Sequence, residues 1–133
     1  MGTLTDPIPG ARRSEVGGLV VDEVPAGAGR VKRVIYPPGW RWSTSMPEVT
    51  GTSSCRHVHV GLVVQGTMVV RFDDGCEVTF AAPSAVVIEP GHDGWVAGDE
   101  PVVLVQVDAG SDTVERLDLA ALHHTCDPGR QPA

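Results

Sequence analysis

The chain reads as an all-β protein, a sandwich or barrel of short antiparallel strands. Three observations predict this. Short apolar runs rich in Val recur along the chain, as in Leu19-Val20-Val21 and Val102-Val103-Leu104-Val105. Turn residues separate them at close intervals, notably Asp73-Asp74-Gly75, Pro90-Gly91 and Gly98-Asp99-Glu100. Helical periodicity is confined to one segment near the C-terminus, where Val114, Leu117 and Ala121 fall on one stripe.

Taken in order, residues 1–17 are polar and bear Pro and Gly, which predicts a flexible leader. Residues 19–24 and 30–36 read as the first two strands, joined by a turn at Pro25–Gly29. Pro37-Pro38-Gly39 ends the second, and Trp40 and Trp42 share one face of a short extended piece with Arg41 on the other. Residues 43–54 read as loop. The central strand runs from His57 to Val64, and Gly66 bends the chain into Thr67–Phe72. Asp73-Asp74-Gly75 is a hairpin turn, because Asp and Gly tolerate the positive φ that tight turns require. Strands follow at Cys76–Phe80, Ala85–Ile88, from Trp95, and at Pro101–Val107. The barrel domain therefore spans residues 18–110, and residues 111–133 form a tail, helical over Thr113–His124 or disordered.

The chain has 133 residues, which suits one domain with one core. Its net charge of -7, with no basic block, argues against nucleic acid and anionic membranes as partners. Its apolar runs are too short to span a bilayer as helices, and Met1–Ala11 has no basic-then-apolar leader, so the expected location is the cytoplasm. The three cysteines, Cys55, Cys76 and Cys126, form no CxxC pair; the odd number and the spacing favour buried free thiols over a disulfide scaffold.

The chemistry concentrates at Cys55-Arg56-His57-Val58-His59. In an extended chain Cys55, His57 and His59 share one face, and neutral imidazole and thiolate are good donors for transition metals. His57 and His59 are the first candidates for metal ligands, with His92 in the turn after Pro90-Gly91 as the third. Against this, the same histidines can line a pocket by hydrogen bonding alone, and His92 can be satisfied by Asp93. Cys55 is either a further ligand or a buried thiol. Tyr36, Trp42 and Trp95 are candidates for an aromatic pocket wall, or for ordinary packing. Arg41 is a candidate for an anionic substrate, Gln65 for a ligand contact, and Glu89 for a base or ligand; solvated or rim positions are the alternative for each.

With these residues in place the sequence resembles a small single-domain cupin, over about residues 30–108. The rhythm Gly66, Asp74-Gly75, Pro83, Pro90-Gly91 carries the resemblance, together with the spacing from Gly51 through five residues to His57-x-His59. It implies a double-stranded β-helix, or jelly-roll, barrel. Two registers of the family's metal motif are open. Counted from Gly51, His57 and His59 take the two histidine positions. Counted from Gly66, His59 stands where the family has glutamate and Cys55 where it has the second histidine. The resemblance implies a barrel that binds a small organic molecule, at a divalent metal (Zn, Fe, Ni, Mn or Cu), with oxygenase, isomerase or lyase chemistry. A metal-free binding or sensing module is the alternative. It also implies a homodimer, with residues 19–36 as the available edge.

Overall fold

A computed structural model describes residues 3–109 and 113–118. Nine strands occupy most of them: β1 Arg12–Val16, β2 Leu19–Ala26, β3 Gly29–Tyr36, β4 His59–Gln65, β5 Thr67–Phe72, β6 Glu77–Ala81, β7 Ser84–Ile88, β8 His92–Ala97 and β9 Val102–Asp108. They form two antiparallel sheets. The larger has the order β1-β2-β3-β9-β4-β7 and the smaller β6-β5-β8. Neither sheet is closed on itself; the two share one core. From the larger sheet come Val34, Tyr36, Val63, Ile88 and Leu104, and from the smaller Met68, Val70, Phe72, Phe80 and Val96.

Alternation along the strands assigns the two faces. Val102, Leu104, Gln106 and Asp108 of β9 stand opposite Tyr36, Val34, Lys32 and Arg30 of β3, rung by rung. Side chains two apart share a face, so the apolar rungs fill the core and the same inward face continues into Lys32, Gln106, Arg30 and Asp108. On the other side of β9, Gly61 pairs with Gln106 and Val63 with Leu104. In the smaller sheet Phe72 pairs with His92 and Met68 with Val96, which turns His92 inward on β8.

Several expectations are corrected. Residues 12–16 are not a flexible leader but edge strand β1, paired along its length with β2. The edges of the larger sheet are therefore β1 and β7, and residues 19–36 lie inside it. Residues 43–54 are not all loop: two short helices, α1 Trp42–Ser45 and α2 Pro47–Thr50, lead into the Cys55 segment. The central strand starts at His59 rather than His57. Cys76 is disulfide-bonded, so Cys55 is the free cysteine among the described residues. The helix expected over Thr113–His124 is a single turn, α3 Thr113–Arg116, followed by a turn at Leu117–Asp118 with Asp118 at φ 55°; residues 119–133, with His123, His124 and Cys126, lie outside the described residues. Among the described residues no helix is long and apolar enough to cross a membrane.

Candidate metal centre and ligand cavity

Cys55, His59 and His92 bring one donor atom each to within 4.8 Å of one another. They come from three places. His59 opens β4 in the larger sheet, His92 opens β8 in the smaller one, and Cys55 lies on the segment between α2 and β4. The backbone clamps Cys55 to the smaller sheet, since its N–H donates to the His92 carbonyl at 2.7 Å and its own carbonyl accepts from Gly91 at 2.7 Å.

Hydrogen bonds orient both imidazoles. His92 Nδ1 lies 2.7 Å from the Glu89 carbonyl oxygen. A carbonyl only accepts, so Nδ1 carries the proton and Nε2 presents its lone pair. His59 Nδ1 lies 2.9 Å from Gln106 Oε1, and its Nε2 faces Cys55 Sγ at 3.6 Å. Metal-bound histidines use the same arrangement, with one nitrogen anchored by an acceptor and the other bare. Burial pushes the His59 imidazole well below its ordinary value, with further lowering from His92 and His57. Burial lowers His92 too. Both rings are thus neutral at neutral pH, as ligands must be. Burial raises the Cys55 thiol, so metal binding there would release its proton.

Donors held about 2.0–2.3 Å from one zinc ion lie roughly 3.5 Å apart, and the Cys55–His59 pair already has that spacing. The cluster is geometrically suited to a divalent metal. It follows the register counted from Gly66.

His57 sits elsewhere. Its Nε2 is 2.9 Å from Asp108 Oδ1, and its ring centroid is 5.1 Å from that of His59. The i,i+2 rule does not carry back from His59 because regular strand begins only there. Asp108 Oδ2 also receives Arg30 Nε at 2.8 Å and Lys32 Nζ at 3.0 Å. Burial raises the Asp108 carboxyl, but the hydrogen bond from His57 and the charge of Lys32 outweigh it and hold it below its ordinary value.

The cluster opens onto a cavity of about 570 Å³, within the range that accommodates small organic ligands. Its wall is mostly apolar around Tyr36, Trp40, Trp42, Met46 and Met68, and polar around Lys32, His57 and Gln106. Of the pocket candidates, Tyr36, Trp42 and Cys55 line the cavity; Trp95, Arg41, Gln65 and Glu89 do not. Trp95 points outward from β8 beneath the Arg41 guanidinium, 4.2 Å from its ring centroid, and Arg41 also faces Asp93 at 3.8 Å. Gln65 donates to the Pro101 carbonyl at 3.2 Å. Glu89 serves the site through its backbone carbonyl. Sequence reasoning missed Lys32, Gln106 and Asp108, although their even spacing from Val34 and from Leu104 marks them as inward-facing.

No protein-family model matches the chain, and no curated protein matches it. Solved structures do. A cupin 2 conserved barrel domain protein from Salinispora arenicola aligns with TM-score 0.56 at 16% identity, covering 90% of this chain and 98% of that one. A cupin-2 domain from Rhodospirillum rubrum aligns with TM-score 0.55 at 17% identity, over 81% and 76% of the two chains. A cupin-like protein from Thermotoga maritima gives 0.51 at 16% identity, over 74% and 73%. The chain thus has two facing antiparallel sheets with a histidine-bearing cavity between them, and its fold is the cupin fold.

Proposed function

We propose that this protein binds a small organic molecule in its cavity, at a divalent metal held by Cys55, His59 and His92. The convergence of three donors from three chain segments at a cavity wall carries this reading. Three protein donors leave coordination positions open for a ligand. The set contains one thiolate, two imidazoles and no carboxylate, which suits Zn, Ni, Cu or Fe and disfavours Mn.

When bound, the metal would polarise an oxygen of the ligand as a Lewis acid in the isomerase and lyase readings, or activate O2 in the oxygenase reading. The remaining work falls to the chain's own groups. The Glu89 carbonyl and the Gln106 amide orient the two imidazoles. Trp42, Tyr36 and their neighbours exclude water from the apolar end. His57 donates from Nε2 to the ionised Asp108, so its Nδ1 is the basic nitrogen, and it stands in the cavity wall where it can exchange a proton with a ligand.

Metal content of protein purified without nickel resin or chelator tests the assignment. The expected result is near one metal per chain in the wild type, lost in Cys55→Ala, His59→Ala and His92→Ala and retained in His57→Ala. Retention in the first three, or loss only in His57→Ala, would overturn the donor set. A wild type that takes up no metal on reconstitution would favour the metal-free binding module.

A further inference from the structure

Gln106 is 1% exposed, and its Nε2 has no hydrogen-bond partner among the described residues. A buried amide N–H left unpaired is destabilising, so such a group in a cavity wall points to an acceptor that arrives from elsewhere. The amide's orientation follows from its neighbours. If Oε1 accepts from His59 Nδ1–H, His59 Nε2 is bare, as metal binding requires and as a hydrogen bond from the Cys55 thiol would use. The amide nitrogen is then the unpartnered atom of a side chain that lines the cavity. Flipping the amide would require the His59 proton on Nε2 and remove that donor from the metal.

Lys32 is the direct cross-strand partner of Gln106, on the same inward face, and it also lines the cavity. Its ammonium has three donors, and Asp108 takes one at 3.0 Å. Asp108 is shared by Lys32, Arg30 and His57, and Arg30 pairs with Glu23 as well; what Lys32 offers a ligand is therefore its remaining ammonium donors. A divalent ion on one thiolate and two neutral imidazoles leaves one further positive charge beside Gln106.

We propose that Lys32 Nζ and the Gln106 amide form a carboxylate-binding subsite, which holds the acid group of a ligand whose apolar body lies against Tyr36, Trp42 and Met46. The ligand class is therefore a small carboxylic acid with a hydrocarbon or aromatic body. This assignment rests on the metal reading for the orientation of Gln106 and for part of the charge.

Isothermal titration of 3-phenylpropanoate and of its neutral amide into Zn2+-loaded protein is the test. The acid is expected to bind about tenfold or more tightly than the amide, the range of a hydrogen bond to a charged group. Gln106→Glu keeps an acceptor for His59 Nδ1–H but replaces the free donor with a negative charge. It and Lys32→Met should each weaken the acid about tenfold or more, while Lys32→Arg keeps most of the affinity. Zn2+ affinity, measured separately by chelator competition, should survive in the Lys32 variants, and thermal melts show that each variant is folded. Equal binding of acid and amide would overturn the subsite. So would wild-type affinity in both Gln106→Glu and Lys32→Met, or no binding by any acid from acetate to 4-phenylbutanoate. If the wild type takes up no Zn2+, the metal reading fails by itself. The same titration on metal-free protein then decides the subsite, supported by an acid preference that Gln106→Glu removes and overturned by none.

Discussion

Asp22 and Asp108 are two buried carboxylates on opposite faces of the larger sheet. Asp108 lies on the inner face among Arg30, Lys32 and His57, whereas Asp22 lies on the outer face between Arg13 Nε at 2.9 Å and Arg33 Nη2 at 2.6 Å. The side chains of Asp22 and Arg33 are 1% and 7% exposed, so removing the carboxylate would strand a buried guanidinium. Asp22→Asn is therefore expected to cost about 3 kcal/mol, read from the urea midpoint at pH 7. The hydrogen bond from Arg13 lowers the Asp22 carboxyl, burial opposes it, and the bond from Arg33 adds to the lowering. A depressed folded value means that this contribution is fully present above the unfolded value of about 4 and is lost as pH falls through the folded one. Urea midpoints from pH 7 to pH 2 should fall less steeply in Asp22→Asn, with Asp108 keeping part of the acid limb. An unchanged slope would show that Asp22 does not carry it. Neither carboxylate is visible as buried from its own run, because Val20-Val21-Asp22-Glu23 reads as a strand whose polar positions face water, and the even spacing of Asp108 from Leu104 gives its face but not its partners. Paired charges reverse that expectation, and pairing is a property of neighbouring strands rather than of the run itself.

The pairing of β4 with β9 controls the site at the level of elements, and Gly61 is its tightest point. A Cβ there would come within 1.9 Å of the Val105 carbonyl oxygen and 2.7 Å of Gln106 Cα. Both are backbone atoms, so β9 would have to move away. Gly61→Ala is expected to destabilise the protein by about 2 kcal/mol or more, as overpacking does. Because the displaced backbone carries Gln106, and Gln106 anchors His59, metal affinity should fall as well. Denaturation midpoints and chelator competition check the two effects; a variant with wild-type values in both would show that the strands separate freely. Turn-bounded strands such as Thr67–Phe72 are legible because their signals are local: Gly66 on one side and Asp74-Gly75 on the other. β1 is not, since Arg12-Arg13-Ser14-Glu15-Val16 has no apolar alternation and is held by its pairing with β2 and by the Arg13–Asp22 ion pair. The donor set was half legible for a similar reason. His59 and His92 stand out as residue types, but choosing Cys55 over His57 depends on where strand geometry begins, and that is fixed by the Cys55–His92 bridge between segments far apart in the chain.

Across the whole molecule the three donors form a link between the sheets. His59 belongs to the larger sheet, His92 to the smaller, and Cys55 is tied by backbone hydrogen bonds to His92. The two sheets otherwise meet through core side chains around a cavity, where packing is least complete. A metal bound to all three donors would exist only when the sheets are docked, so its binding energy adds to the stability of the native state. At free Zn2+ one hundredfold above its dissociation constant the gain is about 2.7 kcal/mol. For a chain of this size that raises the melting temperature by roughly 10 °C. Thermal melts across a Zn2+ series should rise with the logarithm of metal concentration and return to the starting value with chelator. His92→Ala should abolish the rise by freeing the smaller sheet from the ion, whereas His57→Ala, which leaves all three donors in place, should keep it. A rise that persists in His92→Ala would show that His92 is not needed to hold the metal, and any link between the sheets would then run through Cys55 and His59 alone.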